Sequence, residues 1–161
     1  MNFVKKALKN ERGMTLIELL AVVVILGIIA AIAIPSIGGL IDNTKKDAHV
    51  ANAQQMVSSA KIWVTGNAEE FDSTNKTKLT LKDMEDQDLI DPIKDPDGGT
   101  NYATTTSFVE ITKTGTKYAY EVKLVNTKRG IWVDEKDLKR KNVTKTVPTA
   151  KTGASATTPA S

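Results

Sequence analysis

Residues 13–41 read GMTLIELLAVVVILGIIAAIAIPSIGGLI, the most apolar stretch of the chain. From Leu19 to Ile41 it contains 23 residues without a charge, and the part up to Ile34 is apolar throughout. A helix of that length reaches roughly 34 Å at about 1.5 Å per residue, which is enough to cross a hydrocarbon layer of about 30 Å. The stretch therefore predicts one membrane-spanning helix.

A basic segment precedes this apolar run. Residues 1–12 read MNFVKKALKNER and carry four bases against a single acid, Glu11. Basic residues next to a membrane helix stay on the cytoplasmic side during insertion. The sequence therefore predicts a helix whose amino-terminal end faces the cytoplasm.

Glu18 lies at the start of the apolar run, and each possible explanation of this run has to account for its charge. A secretory signal is one explanation, since Ala31-Ile32-Ala33 has the small-x-small form of a signal peptidase site. A plain single-pass anchor is the second. Neither accounts for a carboxylate whose insertion into the membrane costs on the order of 3 kcal/mol.

The third explanation uses the whole string from Gly13 to Glu18, followed directly by the apolar run. This string resembles the class III signal of type IV prepilins and related pseudopilins, in which a membrane-embedded prepilin peptidase cuts after the glycine and methylates the new amino-terminus. The resemblance implies cleavage after Gly13 and methylation of Met14, where the family most often has phenylalanine. It covers Lys5 to about Val64.

The same resemblance implies a role for Glu18, at the fifth position of the mature chain. In the family this acid pairs with the terminal amine of a neighbouring subunit, here that of Met14, inside a helical filament. Such a pair fixes register, because leaving either buried charge alone costs several kcal/mol. The alternative to this pairing is that Glu18 lies at a helix end and its side chain extends to the membrane interface.

The resemblance also implies partners and a location. The partners are further copies of the chain, the prepilin peptidase, a platform membrane protein and a cytoplasmic assembly ATPase. The chain is then expected as a single-pass protein of the cytoplasmic membrane before assembly, and as a cell-surface filament afterwards.

One long helix is predicted from about Thr15 to about Val64, with its end near Gly66-Asn67. Pro35 lacks an N–H group and should bend this helix. The resemblance implies that the segment from Gly27 to Pro35 loses helicity when filaments pack or stretch.

Beyond Ile41 the helix becomes amphipathic, because apolar residues recur at spacings of three and four. This stripe consists of Val50, Ala53, Val57, Ala60 and Val64. Met56 and Trp63 lie near the stripe and are predicted to be core residues. His49, the single histidine of the chain, is predicted to be solvated.

The rest of the chain predicts an α+β head in which a small antiparallel meander packs on the amphipathic helix. The predicted parts are a cleaved leader (1–13), a transmembrane and assembly helix (14–41), an amphipathic helix (42–66), a head with a three-stranded sheet (67–142) and a disordered tail (143–161). Within the head we expect a loop at 68–78, a helix from Thr80 to about Leu89, and strands at 107–112, 117–125 and 130–134. The tail is rich in Thr, Ala, Ser and Pro.

Composition excludes most catalytic chemistry. The chain has no cysteine and one histidine, so thiol nucleophiles, Cys-ligated metals and His clusters are absent, and no phosphate-binding or hydrolase motif occurs. We therefore expect no enzyme and no cofactor. A weak calcium candidate is the acidic loop with Asp91, Asp95 and Asp97, which looks similar to a loop that holds calcium in some pseudopilins; the alternative is a plain acidic turn.

Charge is separated along the head. Residues 69–97 carry ten acids and four bases, whereas residues 128–151 carry eight bases and three acids. Opposite charges of this kind favour contacts between neighbouring subunits. A weaker hypothesis is that the basic residues bind DNA phosphates. The candidate contacts for both are Lys128, Arg129, Lys139, Arg140 and Lys141.

The preferred hypothesis is a structural subunit of a type IV pilus-like filament. The alternatives are a pseudopilin of a type II secretion or competence DNA-uptake system, and a membrane-anchored binding module. The leader, residues 1–13, carries a net charge of +3, equal to that of the whole chain, so the remaining 148 residues hold 18 bases and 18 acids. The basic pI near 9.0 thus comes from the leader, and the mature chain is no general polyanion binder.

Overall fold

The computed structural model describes residues 15–67, 76–99 and 101–152. Its internal contacts divide the chain into two compact units, Met1–Asp42 and Asn43–Ser161. A single helix, α1 (Leu16–Gly66), begins in the first unit and ends in the second. These bounds confirm the long helix that the sequence predicts.

In the first unit, α1 exposes nearly all of its apolar side chains. Exposure of the large ones ranges from 45% for Val22 to 86% for Leu16. By length and composition this part of the helix is able to cross a membrane. Pro35 lies inside α1, and the residues on both sides of it are helical.

In the second unit, α1 buries one stripe of side chains. Ala53, Met56, Val57 and Ala60 are fully buried, and Trp63 and Val64 nearly so. These residues join the apolar side chains of a sheet in one core cluster. The amphipathic pattern and the predicted core positions of Met56 and Trp63 are confirmed.

The sheet has four strands, so the prediction of three was wrong. The strands are antiparallel and adjacent in chain order: β1 (Lys76–Thr80), β2 (Phe108–Thr114), β3 (Lys117–Val125) and β4 (Gly130–Asp134). Strands β2 to β4 match their predicted positions within two residues. Strand β1 reads KTKLT, with Leu79 as its single apolar residue, so it lacks the apolar alternation that marks a strand. Of the predicted loop at 68–78, residues 68–75 lie outside the described residues.

One face of the sheet supplies most of the core. Val109, Ile111, Val122, Leu124 and Val133 are each 0% exposed, as expected for alternate residues on the face turned inward. On the opposite face, the ring of Phe108 lies edge-on to that of Trp132, with 6.0 Å between centroids. From Glu121 to Leu124, partly exposed and buried residues of β3 alternate, as expected for a strand with one face turned inward.

A short helix, α2 (Leu81–Asp86), follows β1 directly. The Thr80 hydroxyl accepts a hydrogen bond from the Asp83 N–H at 3.0 Å, and the Asp83 carboxylate accepts one from the Thr80 N–H at 2.9 Å. This reciprocal capping box confirms the predicted start of the helix. The helix ends three residues before the predicted Leu89.

The beginning of the carboxy-terminal tail is ordered, so the prediction of a disordered segment was wrong for residues 143–152. Thr144 and Gly130 exchange two backbone hydrogen bonds, at 2.9 and 3.2 Å. The Lys151 ammonium lies 2.7 Å from carboxylate oxygens of both Glu121 and Asp134. Because β4 is the last strand in the sheet order, these contacts cover an edge that would otherwise be open. Residues 153–161 lie outside the described part of the chain.

Candidate functional site

The first turn of α1 carries a second reciprocal cap, made by Thr15 and Glu18. The Thr15 backbone N–H and hydroxyl each donate to Glu18 Oε2 at 2.7 Å, while the Glu18 N–H donates to the Thr15 hydroxyl oxygen at 3.3 Å. This arrangement holds the carboxylate at the helix start, where the helix dipole stabilises an anion. Gly13 and Met14, the predicted processing residues, lie outside the described residues.

The surface that follows Glu18 is apolar on all sides of the helix. A continuous exposed apolar surface of this kind is not expected to face water. An apolar environment is therefore expected around this surface. Gly27 lies within this surface, and nothing approaches within 4 Å of the place where a side chain would begin. Deformation of the segment from Gly27 to Pro35 stays a prediction.

The second unit contains a polar cluster that the sequence analysis did not foresee. His49 is 0% exposed, so the prediction of a solvated histidine was wrong. Its Nε2 lies 3.0 Å from Asp97 Oδ2, and its Nδ1 lies 2.9 Å from the Tyr102 hydroxyl. The signal was the position of His49, four residues before Ala53 and therefore on the buried stripe.

The protonation of this cluster follows from its burial and its partners. Burial lowers the pKa of His49 below its ordinary value of 6.5, and Asp97 offsets this only in part. Burial alone would raise the pKa of Asp97, but hydrogen bonds from Asn126, His49 and Arg129 outweigh it and bring that pKa to about 2. The geometry then fits a neutral imidazole that donates from Nε2 to Asp97 and accepts at Nδ1 from Tyr102.

Asn126, at the end of β3, connects the cluster to the turn before β4. Its Nδ2 donates to Asp95 Oδ1 at 2.7 Å and to Asp97 Oδ2 at 2.9 Å. Its Oδ1 accepts from the backbone N–H groups of Lys128 and Arg129, at 2.8 and 2.6 Å. Two donors face the oxygen and two carboxylates face the nitrogen, so the orientation of the amide is fixed.

Basic side chains contact one of these two acids, Asp97. Arg129 is buried, and its Nε lies 2.7 Å from Asp97 Oδ2. The Lys45 ammonium lies 3.8 Å from Asp97 Oδ1, and the Lys128 ammonium donates to the Asp97 carbonyl at 3.3 Å. Of the five predicted basic contact residues, Arg129 thus belongs to this interior cluster, and the exposed Lys128 contacts it from the surface.

The other three predicted basic residues lie further along the chain. Arg140 donates from Nε and Nη2 to the two carboxylate oxygens of Asp47 on α1, in a bidentate pair whose members are both half exposed. Lys139 and Lys141 are exposed. The structure therefore spreads the predicted basic residues between an interior cluster, a surface ion pair and open surface.

The weak calcium candidates are divided in the same way. Asp95 and Asp97 lie with His49 in a group whose ligand atoms all fall within 4.8 Å of one another. Asp91 is exposed and does not belong to that group. The group has the chemistry of a metal site, yet the Asn126 amide and the Arg129 guanidinium already contact its carboxylates.

Comparison with known proteins places the clearest similarity at the amino-terminus. Residues 8–34 match the family model of the prokaryotic N-terminal methylation motif. The chain is also similar to the type IV major fimbrial protein FimA of Dichelobacter nodosus, with 33% identity over 78 residues, 48% of this chain. The match spans about half, 46%, of that relative's length. No solved structure matches the chain significantly.

Proposed function

We propose, on the premise that this chain belongs to the type IV pilin and pseudopilin family, that it is a structural subunit of a type IV pilus-like surface filament. The methylation motif and the fimbrial relative support that family. The observation that carries the proposal is the continuous exposed apolar surface of α1, which begins one residue after the capped carboxylate of Glu18. A surface of this kind fits first a membrane and then the packed centre of a filament.

The first step is processing of the precursor. The basic leader orients α1 in the cytoplasmic membrane, and prepilin peptidase cuts after Gly13. Cleavage removes the net charge of +3 and frees an α-amino group on Met14, which remains cationic after methylation. The helix then begins with one positive and one negative charge, the amine and Glu18.

The second step pairs these charges between subunits. Thr15 supplies hydrogen bonds to Glu18 but no compensating charge. An uncompensated carboxylate is costly in an apolar surrounding, so the Met14 amine of a neighbouring subunit is its natural partner. The pair sets the axial register of each incoming copy.

The remaining partners follow from this assembly. A platform membrane protein receives the processed subunit, and a cytoplasmic assembly ATPase drives its extraction. The chain thus moves from the cytoplasmic membrane into a filament at the cell surface. No enzymatic activity is part of this role.

Two substitutions separate the charge of Glu18 from its capping role. Glu18→Gln keeps the shape and the acceptor for Thr15 but removes the charge, whereas Thr15→Ala removes the hydroxyl part of the cap and keeps the charge and the backbone hydrogen bond. We expect Glu18→Gln to be cleaved normally but to reduce surface filaments by at least about tenfold, since that factor corresponds to only about 1.4 kcal/mol. Thr15→Ala should assemble close to the wild-type level.

The measurements are the amino-terminal mass of the membrane-extracted chain and electron microscopy of sheared surface material. Equal loss of filaments in both variants would mean that Glu18 acts only as a cap, against the pairing step. Filaments that end within the cell envelope in wild-type cells would instead indicate a pseudopilus.

A further inference from the structure

The buried cluster of His49, Asp95 and Asp97 has the donor set of a divalent-cation site, but its centre is filled by the chain itself. Asn126 Nδ2 lies 2.7 Å from Asp95 Oδ1, 2.9 Å from Asp97 Oδ2 and 3.5 Å from His49 Nε2. These are three atoms that would face a bound ion. Metal–oxygen distances of about 2.0–2.6 Å are only slightly shorter than the two carboxylate contacts, whereas the contact with His49 is clearly longer than a metal–nitrogen bond of about 2.0–2.1 Å.

We propose that the Asn126 amide occupies the place of a divalent cation, with Arg129 supplying the positive charge, so that this cluster holds its loop without metal and becomes a metal site when Asn126 is replaced by aspartate. The amide contributes two N–H donors, one to each carboxylate. The Arg129 guanidinium contributes a positive charge next to Asp97. The hydrogen bonds of the amide do not provide such a charge.

The backbone around Asn126 opposes displacement of the amide by an ion. Its Oδ1 accepts both N–H groups of the turn before β4, from Lys128 and Arg129. An ion that entered between the carboxylates would have to move Nδ2 away and therefore break these two bonds as well. Buried N–H groups without acceptors are costly, so the wild-type cluster disfavours entry of an ion.

The arrangement joins three distant parts of the second unit. His49 comes from α1, Asp95 and Asp97 from the loop after α2, and Asn126 from the end of β3. Asn52, also on α1, adds hydrogen bonds to the Lys94 carbonyl and the Tyr102 hydroxyl, at 3.1 and 3.0 Å. The loop is thus fixed to the helix and to the sheet by polar contacts of the chain alone.

Asn126→Asp replaces the amide nitrogen by a carboxylate oxygen. The cluster should then favour an ion that the wild-type cluster disfavours. One carboxylate oxygen keeps the two backbone donors, while the other replaces the amide nitrogen and faces Asp95 and Asp97. The cluster then contains three carboxylates and an imidazole, which is a favourable donor set for calcium or zinc once the new oxygen moves aside to admit the ion. Without an ion, repulsion among the carboxylates should destabilise the fold.

The test compares thermal unfolding of the full chain in detergent, followed by the fluorescence of Trp63 and Trp132, in a chelator, in millimolar calcium and in micromolar zinc. Wild type should unfold at the same temperature in all three. Asn126→Asp should unfold several degrees lower in the chelator and recover with one of the two ions, because an ion that binds only the folded state raises its stability.

Asn142→Asp is the matched control. It adds the same charge at a partly exposed asparagine whose Nδ2 donates to the Asp137 carbonyl, and it should show no response to either ion. A wild-type chain stabilised by calcium or zinc would overturn the proposal. So would an Asn126→Asp chain that gains no stability from either ion, whether it is folded or not.

Discussion

The two parts of helix α1 share one backbone conformation but have opposite surfaces. In the first unit, Leu26 is 58% exposed although it is surrounded in sequence by apolar residues. In the second unit, Met56 is 0% exposed on a stripe that recurs every three to four residues. The second part finds its partner in the sheet of the same unit, whereas the first part requires an apolar partner from outside the chain.

The largest expected difference between the two parts of α1 comes from truncating one side chain in each. Met56→Ala leaves a cavity in a closed core and should lower the free energy of unfolding by about 2–5 kcal/mol. Leu26→Ala removes a similar volume from an exposed position and should change that free energy by less than about 0.5 kcal/mol. Denaturant unfolding of the detergent-solubilised chains, followed by tryptophan fluorescence, measures both, and equal losses would contradict the distinction.

A charge placed at either of two similarly exposed isoleucines should impair membrane insertion in the first part of α1 and not in the second. Ile25 is 57% exposed and Ile62 is 64% exposed, so exposure alone predicts similar tolerance. Ile25→Lys should weaken membrane insertion by about 3 kcal/mol, because Ile25 lies within the apolar run. Ile62→Lys should insert normally. Partition of the precursor between membrane and soluble fractions gives the answer, and equal partition of the two variants would refute a membrane role for the first part.

The sheet edge offers a smaller test of how the second unit closes on itself. A Cβ atom on Gly130 would lie 2.6 Å from Pro148 Cδ and 2.7 Å from Val125 Cγ1. Gly130→Ala should therefore cost about 1–3 kcal/mol through overpacking and should loosen residues 143–152. Faster proteolysis of the tail in the variant is the expected readout. Gly115→Ala, at a turn glycine with φ of +61° and open space around it, separates this packing effect from backbone strain.

The smallest expected effect is a dependence of stability on pH that belongs to the second part of α1. The folded-state pKa of His49 lies below 6.5, so the unfolded chain binds a proton first and stability falls as the pH drops below about 6.5. A further loss should follow between about pH 4 and pH 2, because the pKa of Asp97 is about 2 in the folded chain against 3.8 otherwise.

His49→Gln isolates the first of these two losses. The variant should show no decline in unfolding free energy from about pH 7 to about pH 5, while the decline at lower pH remains. Because only the slope is compared, a general loss of stability in the variant does not affect the result. If the unfolding free energy depends on pH equally in both chains from about pH 7 to about pH 5, His49 does not cause the first loss.

Regular patterns allowed most of the fold to be predicted. The apolar run and the spacing of Ala53, Val57 and Ala60 predicted the helix, and strand-forming runs bounded by turn residues predicted β2 to β4. Strand β1 was missed because a lysine-rich edge strand needs only Leu79 on its inner face. The tail was missed because its order depends on contacts of Lys151 and Thr144 with distant strands, which composition does not reveal.

The polar cluster shows more clearly what the sequence alone does not reveal. His49, Asp97 and Asn126 are separated by 29 residues or more, and only the folded chain brings them together. Each was interpretable alone as a surface residue, since polar side chains are mostly exposed. The position of His49 on the buried stripe was the one local signal of its burial.

The amino-terminal mass of the chain extracted from membranes shows whether the chain is processed as a prepilin. We expect residues 1–13 to be absent and the chain to begin at Met14 with one added methyl group. A chain that begins at Met1, as an uncleaved anchor does, or at Ile34, as a conventional secretory signal would leave it, would rule out this processing.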